Sequence, residues 1–246
     1  MTLQLTLRDV RCVLPGRPAG KAVDVTLGSG RAVALLGGSG EGKSLLCKLI
    51  LGMPPPPPLG WEGALELDGR PTTLASLATL RGARVRLVPQ GGRESLIPGH
   101  SLRQHLDRLL PAAEHLEALA GMDALGLVPD ERLLRARAQG LSEGMIRRFL
   151  IAVATAGAPD LLVLDEPGAG LDDDSRARVT ALVRARILDR GAGLLLATHD
   201  LDLAATLTRT FVRMLDGAPV ASTEHLDADG PLGAMVRAQA RMEAPR

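Results

Sequence analysis

Aromatic side chains are almost missing from this chain of 246 residues: Trp61, Phe149 and Phe211 are the only three, and there is no tyrosine. Aliphatics must therefore fill the core, and few candidates remain for recognising a base by stacking. Cysteine is scarce as well. Cys12 and Cys47 alone give no disulfide framework and no zinc pattern, which points to a reducing, cytosolic setting. No charge sign dominates, with 29 Lys+Arg against 28 Asp+Glu, so nothing suggests a surface that coats nucleic acid, and no nucleic-acid partner is expected. No apolar run approaches the roughly 20 residues that cross a bilayer, so any membrane role must pass through a partner. The first residues, Met1 to Leu7, alternate like an edge strand and lack the regions of a signal peptide.

What the chain does have begins at Gly37. Gly37-Gly38-Ser39-Gly40-Glu41-Gly42-Lys43-Ser44 fits G-x-x-x-x-G-K-[ST] without a gap. The glycines allow a tight nest whose backbone N–H groups face phosphate oxygens. Lys43 would reach the β- and γ-phosphates, and the Ser44 hydroxyl would sit on Mg²⁺. An apolar strand, Arg31 to Leu36, precedes the loop, and a helix, Leu45 to Leu51, follows it and stops at Gly52. A strand, a glycine loop and a helix N-terminus are the context this motif requires. The expected ligand is ATP or GTP.

Beyond the loop, the five prolines at 54–58 read as a stiff spacer. A strand running into a turn is predicted at 64–69, another short strand at 85–89, and β-hairpins in the first 35 residues. Between Ser101 and Gln139 the texture is helical, with Ser101 as a cap and an apolar stripe at Leu106, Leu109 and Leu110. A second α/β half follows from Pro159, with strands at 161–165, 193–198 and 211–215 and helices near 174–190 and 201–208. This order argues for one domain over 1–246: an α/β core from 1–92 and 157–246, interrupted by a helical subdomain at 93–156.

The strand Leu161-Leu162-Val163-Leu164 ends in Asp165-Glu166, at the edge where doubly wound sheets place ligands. Asp165 would belong to the Mg²⁺ shell, and Glu166 could polarise a water for attack on the γ-phosphate. Alone, such a strand end is as often a solvated turn. The upstream phosphate loop tips the balance.

The order phosphate loop, Gln90, Leu141-Ser142-x-Gly144, Asp165-Glu166, Leu171-Asp172 and His199 resembles the nucleotide-binding subunit of an ABC transporter. The intervals match too, with Ser142 lying 23 residues before Asp165 and His199 34 beyond it. The resemblance covers nearly the whole chain. It implies a P-loop NTPase fold of RecA-like type, with an N-terminal antiparallel β subdomain and an inserted helical subdomain. It implies that Ser142 and Gly144 cap a helix facing the γ-phosphate held by another subunit. Gln90 would bridge Mg²⁺ and the attacking water to the helical subdomain, Asp172 would communicate between two ATP sites, and His199 would be the switch histidine.

The stretch from Val33 to Ser44, and Met145 closing the signature, look like the nickel/dipeptide/oligopeptide importer branch. That branch implies a second, non-identical ATPase subunit, two integral-membrane permeases and an extracytoplasmic substrate-binding protein, with this chain on the cytoplasmic face of the membrane. The expected cargo is nickel, a metal chelate or small peptides. The alternative is a non-transport ATPase resembling the phosphonate-metabolism assembly proteins. Three departures stand out. Glu143 replaces a signature glycine, which sets a carboxylate where a phosphate should approach unless it turns to solvent. Val13 falls where many relatives stack an aromatic on adenine, which predicts poor base selectivity. Gly168-Ala169-Gly170 replaces a Thr/Ser turn. The composite site using this chain's own signature is therefore expected to be the weaker of two.

Overall fold

The computed structural model describes residues 3–16, 22–28, 30–38 and 40–214, with the backbone of 215 and 218–223. Along the chain run β1 (Gln4–Val13), β2 (Val23–Gly28), β3 (Ala32–Leu36) and helix α1 (Lys43–Ile50). Then come β4 (Gly60–Leu67), β5 (Arg70–Pro71), α2 (Leu74–Ala78) and β6 (Val85–Val88). Four helices follow in succession: α3 (Leu102–Leu109), α4 (His115–Ala124), α5 (Glu131–Arg135) and α6 (Glu143–Ala154). The chain returns to α/β order through β7 (Leu161–Asp165), α7 (Asp173–Val183), β8 (Gly193–Thr198), α8 (Leu201–Leu207), β9 (Thr210–Leu215) and β10 (Ala218–Thr223).

Two sheets result. One is antiparallel, in the order β2-β1-β4-β5. The other runs β10-β9-β3-β8-β7-β6 and is parallel except for the antiparallel edge strand β10. The parallel strands β3, β7 and β8 are almost wholly apolar, β7 and β8 up to a final Asp165 and Thr198, because both of their faces are covered. Side chains alternate across the sheet at period two. Val33, Leu35, Val163, Leu195 and Ala197 join a core with α1 and the antiparallel sheet. Ala34, Leu36, Leu162, Leu164, Leu194 and Leu196 join a second core with α6, α7 and α8. The sheet is the shared wall between the two cores.

Several boundaries differ from the sequence reading for physical reasons. β4 starts at Gly60, before the expected Ala64, because β1 supplies a partner along that stretch. At Gly63 φ is +115° and an added Cβ would lie 2.6 Å from the Asp9 carbonyl oxygen, opposite a break in the β1 register. Glycine is required there. The α3 stripe is Leu102, Leu106 and Leu110, spaced by four, while Leu109 is exposed. Ser101 does cap α3: its Oγ accepts from the Gln104 N–H at 3.3 Å, and the Gln104 side chain accepts from the Ser101 N–H at 2.8 Å. The helix expected near 174–190 is α-helical only to Val183. A wider turn follows, in which Asp189 N–H donates to Arg184 O.

The helices from α3 to α6 are bound to the parallel sheet by a buried arginine on β6. Arg86 Nη2 pairs with Glu114 at 2.6 Å, and its Nη1 donates to the Ala156 carbonyl at 2.5 Å. Among the described residues, no helix is long and apolar enough to cross a membrane.

Candidate functional site

Strand register brings the predicted residues together. In the parallel sheet Leu36 lies beside Thr198, Asp165 beside Ala197, and Val88 beside Leu164. The C-terminal ends of β3, β8, β7 and β6 therefore form one edge. From that edge spring the glycine loop, Glu166, His199 and Gln90. Gly40, Glu41, Gly42, Lys43, Ser44, Gln90, Asp165 and Glu166 line a single cleft of about 230 Å³.

Gly40 and Gly42 hold φ near +83° and +84°, the left-handed region that a tight nest needs. Ser39 lies outside the described residues. Lys43 is buried, and its Nζ donates to the carbonyls of Gly37 at 2.6 Å and Gly38 at 2.8 Å. The same ammonium stands 3.6 Å from Glu166 Oε1. Not every N–H of the loop is free for a ligand: Gly38 N–H donates to Glu41 Oε2 at 2.6 Å. Gly42 precedes α1, and no side chain among the described residues caps the helix, so its first-turn donors open onto the cleft.

Asp165 is buried at the end of β7, and its Oδ1 has no hydrogen-bond partner among the described residues. Burial pushes its pKa above the ordinary aspartate value, and a hydrogen bond from the Ser44 side chain partly opposes this. An orphaned carboxylate oxygen, a serine hydroxyl and the Gln90 side chain in one cleft form an all-oxygen set that suits a hard cation. Because burial disfavours ionised Asp165, this one carboxyl costs stability above its raised pKa, and that cost is relieved as pH falls through it. Asp165→Asn is accordingly expected to melt about 2–4 °C higher than the native chain in EDTA at neutral pH, for a gain of about 1 kcal/mol. Calorimetry with and without Mg²⁺ checks this. Mg²⁺ should raise the melting temperature of the native chain alone.

Glu166 takes φ = +52°, unusual outside glycine, and its N–H donates to Ala197 O at 2.8 Å. Its carboxylate is held from three sides. Thr198 Oγ1 donates to Oε2 at 3.2 Å, His199 Nδ1 lies 3.0 Å from the same oxygen, and Lys43 flanks Oε1. The His199 contact brings a ring nitrogen to within ion-pairing distance of the carboxylate. The ring itself is half exposed.

Other predicted residues lie away from the cleft. Ser142 caps α6, its Oγ accepting from the Met145 N–H at 3.2 Å. Gly144 packs against the Gly170–Leu171 turn, and Asp172 caps α7 by accepting from the Ser175 N–H at 2.7 Å. That bond holds the Asp172 carboxyl below its usual range. Ser142, Gly144 and Asp172 thus gather at one junction, apart from this chain's own phosphate loop. Val13 pairs with Gly60 at the end of β1 and does not line the cleft. A small apolar crevice beside the loop shares Gly42 and Leu45 with the cleft, and Cys12 and Trp61 line it instead. Glu143 is partly exposed yet held by a backbone donor. Its Oε1 accepts from the Gly92 N–H at 3.0 Å, so its charge is tethered to the loop after Gln90. Thr198 and Arg147 were missed in the sequence. An isolated Thr before His199 and an Arg inside a helix carry no local signal.

The ABC transporter family model matches residues 21–169, well over half of the chain. The chain belongs to the ABC transporter family. It is an ATPase of that family. Similar curated proteins include the nickel import ATP-binding protein NikD of Pseudomonas putida, 36% identical over 189 residues, covering 74% of this chain and 73% of that protein. The protein of the same name from Rhodospirillum rubrum is 33% identical over 219 residues, covering 87% and 80%. Among solved structures, an ATP-binding subunit of an ABC transporter superposes with a TM-score of 0.75 at 26% identity, covering 98% of this chain and 95% of its own. A dimeric ATP-binding cassette in a post-hydrolysis state with ADP and phosphate gives a TM-score of 0.74 at 22% identity, covering 89% and 97%. That last likeness speaks to the fold.

Proposed function

We propose that this ABC ATPase is the energising subunit of an importer that takes up nickel, a metal chelate or small peptides. The observation that carries this reading is the cleft at the sheet edge, where Lys43, Asp165 and Glu166 meet. The match to nickel import subunits points to the cargo. In this reading, ATP enters over the glycine loop with its phosphates against the N-terminus of α1, and the Glu41 carboxylate gives up Gly38 N–H to a phosphate oxygen. Lys43 leaves its two carbonyls for the β- and γ-phosphates. Ser44, Asp165 and Gln90 would hold Mg²⁺, which supplies charge neutralisation on the phosphate oxygens. Glu166, oriented by Thr198 and His199, accepts a hydrogen bond from the attacking water. Catalysis is positioning and charge stabilisation, with no covalent intermediate.

Ser142 and Gly144 belong, in this proposal, to the phosphate held by a second ATPase subunit that need not be identical. Their distance from this chain's own loop supports such a sandwich. Permeases would dock by the groove between the Gln90 loop and the helices, holding the chain at the cytoplasmic membrane face, and an extracytoplasmic binding protein would deliver cargo. The test is accumulation of radiolabelled nickel in cells that depend on this gene and its neighbours. Loss of uptake in a Glu166→Gln strain, with the chain still co-purifying with permeases, is the expected result. Unchanged uptake together with co-purification of soluble enzymes would favour a non-transport ATPase.

A further inference from the structure

Arg147 lies on the second turn of α6, five residues past Ser142, and only 4% of it is exposed. Its two terminal nitrogens hold the backbone of two distant segments. Nη1 donates to the Glu166 carbonyl at 2.5 Å and Nη2 donates to the Gln90 carbonyl at 2.8 Å. Nε is buried with no partner among the described residues, and the nearest carboxylate among them, Glu143 on the same helix, stands 3.9 Å from Nη2. A buried guanidinium compensated mainly by two carbonyl dipoles is a costly way to fill space. An apolar side chain would pack α6 against the core at less cost. What the arginine adds is a rigid fork joining three elements.

The two carbonyls are the informative part. Glu166 sits at positive φ, so its carboxylate direction depends on how its peptide is held. Thr198, His199 and Lys43 hold the carboxylate, and Arg147 holds the carbonyl of the same residue. Through its other arm the fork reaches the loop that carries Gln90. Glu143 adds a second tie to that loop through Gly92 N–H.

We propose that Arg147 is a positioning residue, which couples the Gln90 loop to the main chain of Glu166. Displacement of the loop, or of α6, then swings the Glu166 carboxylate relative to the water it orients. Glu143 strengthens the coupling by binding the loop to the same helix. This rests on the reading of Glu166 as the group that orients water.

The test uses the assembled complex of the full chain with its partner ATPase subunit and permeases, supplied with MgATP. Arg147→Met keeps volume and removes every donor. Its kcat should fall about 10- to 100-fold while the KM for ATP stays within about twofold, since misplacement of one group by an ångström suffices for such a loss. Arg147→Gly should regain activity on addition of low-millimolar guanidinium, which leaves the native chain unchanged. Arg147→Lys, with one ammonium in place of a fork, should fall between Met and native. A kcat equal to that of the native chain would overturn the proposal. So would a loss that guanidinium does not restore and that tracks a lowered melting temperature. If the Met and Gly variants fail to fold, Glu143→Ala decides. It frees Gly92 N–H with Arg147 in place, and should lower kcat about two- to fivefold at unchanged KM; unchanged kcat overturns the proposal. A Glu166→Gln chain that retains full turnover would instead sink the underlying site reading, whatever Arg147 does.

Discussion

Glu166→Gln is expected to stop hydrolysis and spare nucleotide binding. The loss in kcat should be about 10²- to 10⁴-fold, the range that a positioned proton acceptor supplies, while the Kd for MgATP stays the same or tightens. The geometry predicts this split. Glutamine is isosteric, so Thr198 Oγ1 still finds an amide oxygen, and the contacts to Ala197 O and to the Arg147 guanidinium use only backbone atoms of residue 166. What disappears is the carboxylate charge that draws hydrogen from water. The ion pair with Lys43 at 3.6 Å disappears as well, so the nucleotide-free variant should melt below the native chain. MgATP should close that gap, because phosphates replace the lost partner of the ammonium. Phosphate release under single-turnover conditions, set beside thermal melting with and without MgATP, measures both halves. Equal turnover in variant and native chain would remove Glu166 from its role.

Lys43→Met should have the complementary result. Binding is lost first, with a rise in Kd of roughly 30- to several-thousand-fold, equivalent to about 2–5 kcal/mol for truncating one partner of a buried charge pair. Lys43 Nζ lies over the glycine loop, held by Gly37 O and Gly38 O, so its charge is already at the mouth of the nest. Methionine fills the stem volume and leaves both carbonyls and the Glu166 carboxylate without their donor. The native Glu166 carboxylate would then face incoming phosphates with no cation between them. Calorimetric titration with a non-hydrolysable ATP analogue and Mg²⁺ separates this from a folding defect. Affinity within about threefold of the native chain, on a scale where 1.4 kcal/mol is tenfold, would refute the assignment.

The two variants probe opposite ends of one short chain of contacts, and the sequence disclosed those ends unequally. The phosphate loop is a local object: glycines, a lysine and a serine at fixed spacing, between an apolar strand and a helix, announce themselves within eight residues. Asp165 and Glu166 are nearly as local, since a buried strand that ends in two carboxylates is visible in a window of six. His199 was found only by resemblance, because a single histidine after a strand says nothing about what it faces. Its neighbour Thr198, which donates to the same Glu166 oxygen, was not found at all. Leu109 was misassigned to the apolar stripe because adjacent leucines at 109 and 110 cannot be told apart by composition. The turn of α3 buries one and exposes the other.

Residue types at short, fixed spacing were enough to specify nucleotide chemistry, a parallel-sheet core and a helical insert, because those depend on backbone preference and on apolar periodicity. The rest waited for packing. Strand register put Thr198 and Asp165 on one edge, and the rotation of α6 sent Arg147 inward to Gln90 and Glu166. The same rotation turned Glu143 onto the Gly92 N–H. Residues separated by 19 to 57 positions meet only after the cores on both faces of the sheet have closed. No local pattern encodes which side chains will then stand within 3 Å of one another.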